Sequence, residues 1–168
     1  MADLGDIARR ALSERGFQPD FPAKAREEVR RIVRGFPENL EEDDGANARS
    51  YVQDLRELLW FSIDNADTRD LDQLSVAEGE RDGDVRLRVA IADVSVLVHP
   101  GSAIDERAYH NTTSIYTPAG TFPLLPEELS EGLTSLHEGE DRLAVVVDMT
   151  VDDDGTVKDT EVYRAWVR

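Results

Sequence analysis

The segment Ser62-Ile63-Asp64-Asn65-Ala66-Asp67-Thr68-Arg69-Asp70-Leu71-Asp72-Gln73-Leu74 sets four carboxylates within nine residues, between two apolar runs. Leu58, Leu59, Trp60, Phe61 and Ile63 lead in, and Leu74, Val76 and Ala77 lead out, so the acids are expected to interrupt a core segment. Crowded carboxylates repel one another, and a chain that gathers them beside a buried segment ordinarily offsets the repulsion with a cation. Oxygen-only ligands, in a chain without cysteine, select Mg²⁺. A solvated acidic loop is the competing reading, since acidic runs are common in a chain with 36 Asp and Glu residues. A calcium loop of the EF-hand kind is excluded. Its third, fifth and sixth positions, counted from Asp64, hold Ala66, Thr68 and Arg69 in place of two oxygen ligands and glycine.

The rest of the chain predicts an α+β protein in two parts. In residues 1–50, Leu4, Ile7, Ala8, Ala11 and Leu12 fall at helical spacing and Gly16 closes the segment. Pro22 opens a second helix whose apolar stripe is Ala25, Val29, Ile32 and Val33, ended by Gly35. Arg26, Arg30 and Arg34 recur every four residues on one face. They can meet RNA phosphates or form a solvated face, and the i,i+4 pair Glu27 and Arg31 suits the second reading. Residues 37–48, with Glu41-Glu42-Asp43-Asp44-Gly45, read as a polar linker. This front end is expected to be a small helical accessory domain, with a helix-turn-helix as one form it can take.

Residues 51–168 turn to strands. Val85, Leu87, Val89 and Ile91 alternate with polar or small residues, and residues 144–151 are apolar at every second position or more. Asp152-Asp153-Asp154-Gly155 predicts a tight turn into residues 156–167, a hairpin whose acids are turn chemistry. Ile104 to His110 reads as a short helix. His99, His110 and His137 share no ligand spacing.

The formal net charge of −17 is unusual for a nucleic-acid protein, because phosphate contacts dominate such affinity. Positive charge must be localised, or the grip left to metal ions and other parts of the protein. The absence of cysteine excludes disulfides and zinc-thiolate sites and agrees with a cytoplasmic location. No run of 18 apolar residues predicts a membrane span.

The acidic segment, followed by Val89-Ala90-Ile91-Ala92-Asp93-Val94-Ser95 and Pro100-Gly101-Ser102-Ala103, resembles the catalytic RNB domain of the ribonuclease II and ribonuclease R family. Thr113-Ser114-Ile115-Tyr116, Phe122-Pro123-Leu124-Leu125-Pro126-Glu127-Glu128-Leu129-Ser130 and Gly132-Leu133-Thr134-Ser135-Leu136 continue the resemblance in order, over about residues 55–168. It implies a processive Mg²⁺-dependent 3′→5′ exoribonuclease that releases nucleoside 5′-monophosphates from single-stranded RNA. It places Asp64, Asp70 and Asp72 on three of the family's four active-site aspartates, with Asp72 the most important for chemistry and the other two as metal ligands. The fourth position holds Gln73, whose amide oxygen can meet a metal without adding charge. Asp67 lies outside that set. Tyr116 corresponds to an aromatic that stacks on a base of the threaded RNA, and Pro123 and Pro126 bracket two leucines, either stiffening a segment of channel wall or ending a strand.

The resemblance covers only the first part of the family's catalytic domain. Residues 51–168 are therefore expected to form an incomplete RNB domain, completed by a missing C-terminal segment or a second polypeptide. The alternative is a non-catalytic, metal- or RNA-binding remnant.

Overall fold

The structure, a computed structural model, describes residues 3–36, 52–80 and 83–168. The acidic linker expected at residues 37–48 lies outside the described residues. Helix α1 (Leu4–Glu14) begins where the Asp3 side chain accepts from the Gly5 N–H at 2.7 Å, and the chain turns away through Gly16 at φ 88°. Helix α2 (Ala23–Gly35) follows Pro22 and buries Ala25 and Val29. Both match the helices read from the sequence.

The front helices do not stand apart from the rest of the chain. Ala25 and Val29 share a core cluster with Leu97, with Ile104 of α3 (Ala103–Asn111), and with Leu129 of a short π-helical turn (Glu128–Leu133). The Glu28 carboxylate accepts from the Ala103 and Ile104 N–H groups, both at 3.0 Å, so α2 supplies the anion that the start of α3 requires. From α3, the fully buried Arg107 donates to the carbonyls of Gln18, Pro123 and Leu124 and lies 3.7 Å over the Phe21 ring. Asn111 and Gln18 exchange two further hydrogen bonds at 2.9 Å. These contacts fasten residues 18–21 to α3 and to the 123–124 segment.

The second core belongs to a five-stranded sheet. Its strands are β1 (Gln53–Asp54), β2 (Gln73–Gly79), β3 (Val85–Ala92), β6 (Arg142–Val151) and β7 (Val157–Val167), in the order β1-β7-β6-β3-β2. All pairs are antiparallel except β1 with β7. A separate two-stranded hairpin joins β4 (Ile115–Thr117) to β5 (Gly120–Phe122). The predicted turn at residues 152–155 links β6 to β7, with Gly155 at φ 83°.

Register decides which face is covered. Leu74, Ala90 and Val146 lie across from one another, as do Ala92, Ala144 and Ala165, and this face packs against Leu55, Trp60, Leu71 and Leu136. Farther along the same face sit Arg86, Arg88 and Asp148. The alternating apolar set Val85, Leu87, Val89 and Ile91 therefore points to the other face, beside Val145, Val147, Met149 and Val162. None of these eight is buried: Ile91 is 44% and Val162 65% exposed. The packed face thus carries Leu74, Val146 and small residues beside the paired charges, and the alternating apolar row of β3 points outward.

Candidate active site

The acidic segment is a loop closed at its base. Phe61 and Ser75 pair across it, with N–H to carbonyl distances of 2.9 and 2.7 Å, and Ala92 N–H donates to Asp72 carbonyl at 2.9 Å where the chain enters β2. Within it, the Thr68 N–H closes a turn on the Asn65 carbonyl at 3.0 Å. Its second half is held by residues 135–136. The Ser135 hydroxyl donates to the Arg69 carbonyl at 2.8 Å and accepts from the Leu71 N–H at 2.9 Å, while Leu136 N–H donates to the Leu71 carbonyl at 2.9 Å. Ser135 is 1% exposed, so both bonds are shielded from water.

The expectation that the acids interrupt a core segment requires correction in part. Trp60 and Leu71 pack against the sheet core, and Trp60 Nε1 donates to the Leu55 carbonyl at 2.9 Å. Leu59 and Ile63, however, are 89% and 91% exposed, because the loop turns its apolar flank away from the sheet.

Asp70 and Asp72 line a cavity of about 290 Å³ together with Tyr116, Ser114 and the 123–125 segment. Tyr116, on β4, is 74% exposed and leaves its ring face accessible there. Asp72 keeps solvent-exposed surface, yet its carboxyl is held above the ordinary carboxylate range, first by partial burial and then by the negative charges of Asp70 and Asp64. Asp70 and Asp64 both act on the Asp72 carboxyl. Among the described residues none of Asp64, Asp67, Asp70 and Asp72 makes an ion pair.

Oxygen ligands crowded without a counter-charge suit a hard divalent cation. Three or more His, Asp or Glu side chains do not, however, converge into a metal-ready cluster among the described residues. Gln73 opens β2 opposite Ile91, is exposed, and does not line the cavity. The histidines have structural contacts: His110 Nε2 lies 2.6 Å from the Gly16 carbonyl and His137 Nε2 2.8 Å from that of Glu131.

Sequence reasoning missed Ser135 as a brace for the loop, and Asp93. Asp93 is 4% exposed, its Oδ1 accepts from the Ser95 hydroxyl at 2.5 Å, and its Oδ2 forms an ion pair with Arg164 Nε at 2.8 Å. Both residues lie in motifs singled out above, but single polar residues in short motifs do not reveal what they brace.

This loop, the sheet behind it and the hairpin before it define a catalytic-domain fragment of known type. Residues 52–168 match the RNB domain family model, and the chain belongs to the RNB family. It is 43% identical over 127 residues to ribonuclease R of Vibrio parahaemolyticus, covering 76% of this chain and 15% of that relative. The apo form of Mycoplasma genitalium RNase R superposes with a TM-score of 0.82 at 30% identity, over 98% of this chain and 24% of that one. The same enzyme in complex with ribose-methylated single-stranded RNA gives 0.67 at 28% identity, over 86% and 24%. The matched region of the apo enzyme includes the front helices. The chain spans less than a quarter of the length of these relatives. Among the described residues no helix is long and apolar enough to cross a membrane.

Proposed function

We propose that this chain is the first part of the catalytic machinery of a Mg²⁺-dependent 3′→5′ exoribonuclease, which hydrolyses single-stranded RNA to nucleoside 5′-monophosphates in the cytoplasm. The carrying observation is the cavity that joins Asp70 and Asp72 to Tyr116, with Asp64 near enough to act on Asp72. Family membership and the RNA held by the Mycoplasma genitalium relative support the substrate class.

Asp64, Asp70 and Asp72 would hold the cation, with the Gln73 amide the neutral residue at the family's fourth position. When bound, Mg²⁺ supplies charge stabilisation to the phosphoryl oxygens and acidifies a water. The chain's own residues hold the substrate. Tyr116 offers a ring on which any base stacks, worth about 1–3 kcal/mol. Pro123, Leu124 and Leu125 would line one side of the RNA path beside Asp70 and Asp72. Ser135 fixes the backbone on both sides of Asp70, and so acts as a positioning residue.

The uncovered apolar sheet face, with exposed Leu59 and Ile63, supports a further proposal: polypeptide equivalent to the rest of the relatives' catalytic domain packs there. The isolated 168-residue chain is accordingly expected to bind RNA without degrading it. A non-catalytic, metal- or RNA-binding remnant is the second reading, favoured by the open arrangement of the carboxylates and the position of Gln73.

The deciding experiment follows 5′-labelled single-stranded RNA with residues 1–168 joined to the rest of an RNB domain. Shortening from the 3′ end that EDTA stops is expected, with Asp72→Asn slowing it by about 100-fold or more, roughly 3 kcal/mol of transition-state stabilisation. Wild-type rates in that variant would remove Asp72 from the chemistry. RNA binding with no turnover in any form would establish the remnant.

A further inference from the structure

A second cavity, of about 440 Å³, adjoins the acid cavity: Thr121, Pro123 and Glu127 line both. Its helical wall carries Arg9 from α1 and Arg26 and Arg30 from α2, and Phe122 of β5 faces it. Arg9 is shared between Asp20 Oδ1, at 3.3 Å, and the Phe122 ring, whose centroid lies 5.8 Å away. Arg26 and Arg30 make no ion pair among the described residues. In a chain with 36 acidic and 19 basic residues, two unpaired guanidiniums in one cleft are conspicuous.

The arrangement also has a cost that folding does not require. Like charges at i and i+4 destabilise a helix by a few tenths of a kcal/mol. Ala25 and Val29, the immediate neighbours of Arg26 and Arg30, are buried against α3 and the π-helical turn, so the helix cannot roll to separate the pair from the cleft. The cavity's remaining carboxylates, Glu127 and Glu128, come from the π-helical side, not from the helices that carry the arginines. Planar guanidiniums over an aromatic-walled cleft suit phosphate groups flanked by ribose and base.

We infer that Arg26 and Arg30, supported by Arg9, bind phosphate groups of a ribonucleotide beside the acid cavity. This rests on the reading of that cavity as an RNA-processing site. The phosphates belong either to the RNA strand or to the released 5′-monophosphate, and the two sources separate by experiment.

Binding of a fluorescent 12-nucleotide oligo(A) to the 168-residue chain is measured in EDTA across a salt series, alongside equilibrium dialysis of radiolabelled adenosine 5′-monophosphate. The R26Q/R30Q variant is compared with wild type and with K24Q/R31Q, which removes equal charge from α2 outside the cavity; circular dichroism verifies folding of each. If the strand occupies the site, R26Q/R30Q weakens oligo(A) binding about tenfold and flattens the salt slope by about 1.4, or ~0.7 per phosphate, while K24Q/R31Q does neither. If the product occupies it, monophosphate binding falls about tenfold and oligo(A) binding does not change. Equal binding of both ligands by R26Q/R30Q and wild type, or equal losses in the two double variants, overturns this inference and leaves the acid cavity's assignment intact. Failure of the wild-type chain to bind either ligand overturns the inference together with the RNA reading on which it rests.

Discussion

Asp72 and Asp148 are the same side chain in opposite surroundings. Asp148, on β6, is 5% exposed, and burial alone would raise its pKa. Hydrogen bonds from Arg86 at 2.8 and 2.9 Å and from Tyr163 at 2.6 Å, with the charges of Arg88 and Arg86, outweigh that and hold it down at about 2. Tyr163 is pushed up to about 12 by its own burial and by the anion beside it. The Asp72 pKa moves the other way, raised first by partial burial and then by the charges of Asp70 and Asp64. A buried acid with its cations inside the fold belongs to the architecture. A crowded acid without one is the kind of group that the proposed cation would neutralise.

The contrast breaks most visibly at Asp148. Asp148→Ala would leave the buried Arg88 with Glu78 as its remaining ion-pair partner and Tyr163 without its acceptor, and should lower stability by about 3–5 kcal/mol in urea unfolding. A loss below about 1 kcal/mol would show that the network is ornamental.

Acid offers a sharper measure. Asp148 titrates near 2 when folded against 3.8 ordinarily, so its contribution is fully present above pH 4 and is lost as pH falls through about 2. Wild type should therefore lose about 2 kcal/mol more than Asp148→Asn between pH 4 and pH 2, read from denaturant midpoints at each pH. Parallel pH profiles for the two proteins would contradict the low pKa.

A smaller effect is expected at Ser135. Ser135→Ala should cost about 1–2 kcal/mol, because the Leu71 N–H loses its acceptor in a shielded position. Hydrogen exchange at the Leu71 amide should accelerate, and Mg²⁺ binding measured by calorimetry should weaken as the loop loosens. Unchanged exchange at Leu71 would deny Ser135 its bracing role.

The smallest effect has the opposite sign. In metal-free protein, Asp72→Asn should leave thermal stability unchanged or raise it by less than about 1 kcal/mol, since it relieves like-charge crowding. Destabilisation by that substitution would make Asp72 a structural acid like Asp148.

Much of the fold was legible from local pattern. Helix periodicity with Pro22 and Gly16 located both front helices, and Asp152-Asp153-Asp154-Gly155 located the β6–β7 turn, because caps and turns depend on residues only a few positions apart. The acidic run stood out for the same reason, as one residue type concentrated in a short motif, whereas Tyr116 was singled out only by the resemblance to the RNB family. Tertiary structure alone decided the rest. It turned the apolar alternation of β3 to the uncovered face and placed Arg88 inside, since register is set by pairing with β2 and β6. It fastened the front helices to α3 through Glu28, Arg107 and Asn111, contacts spanning up to 93 residues. It also brought Asp70 and Asp72 to Tyr116 across more than forty positions and set the arginines of α1 and α2 beside them. A sequence states which charges a chain carries; only the folded chain fixes which of them meet, because Coulomb energy depends on separation in space and on the water left between charges.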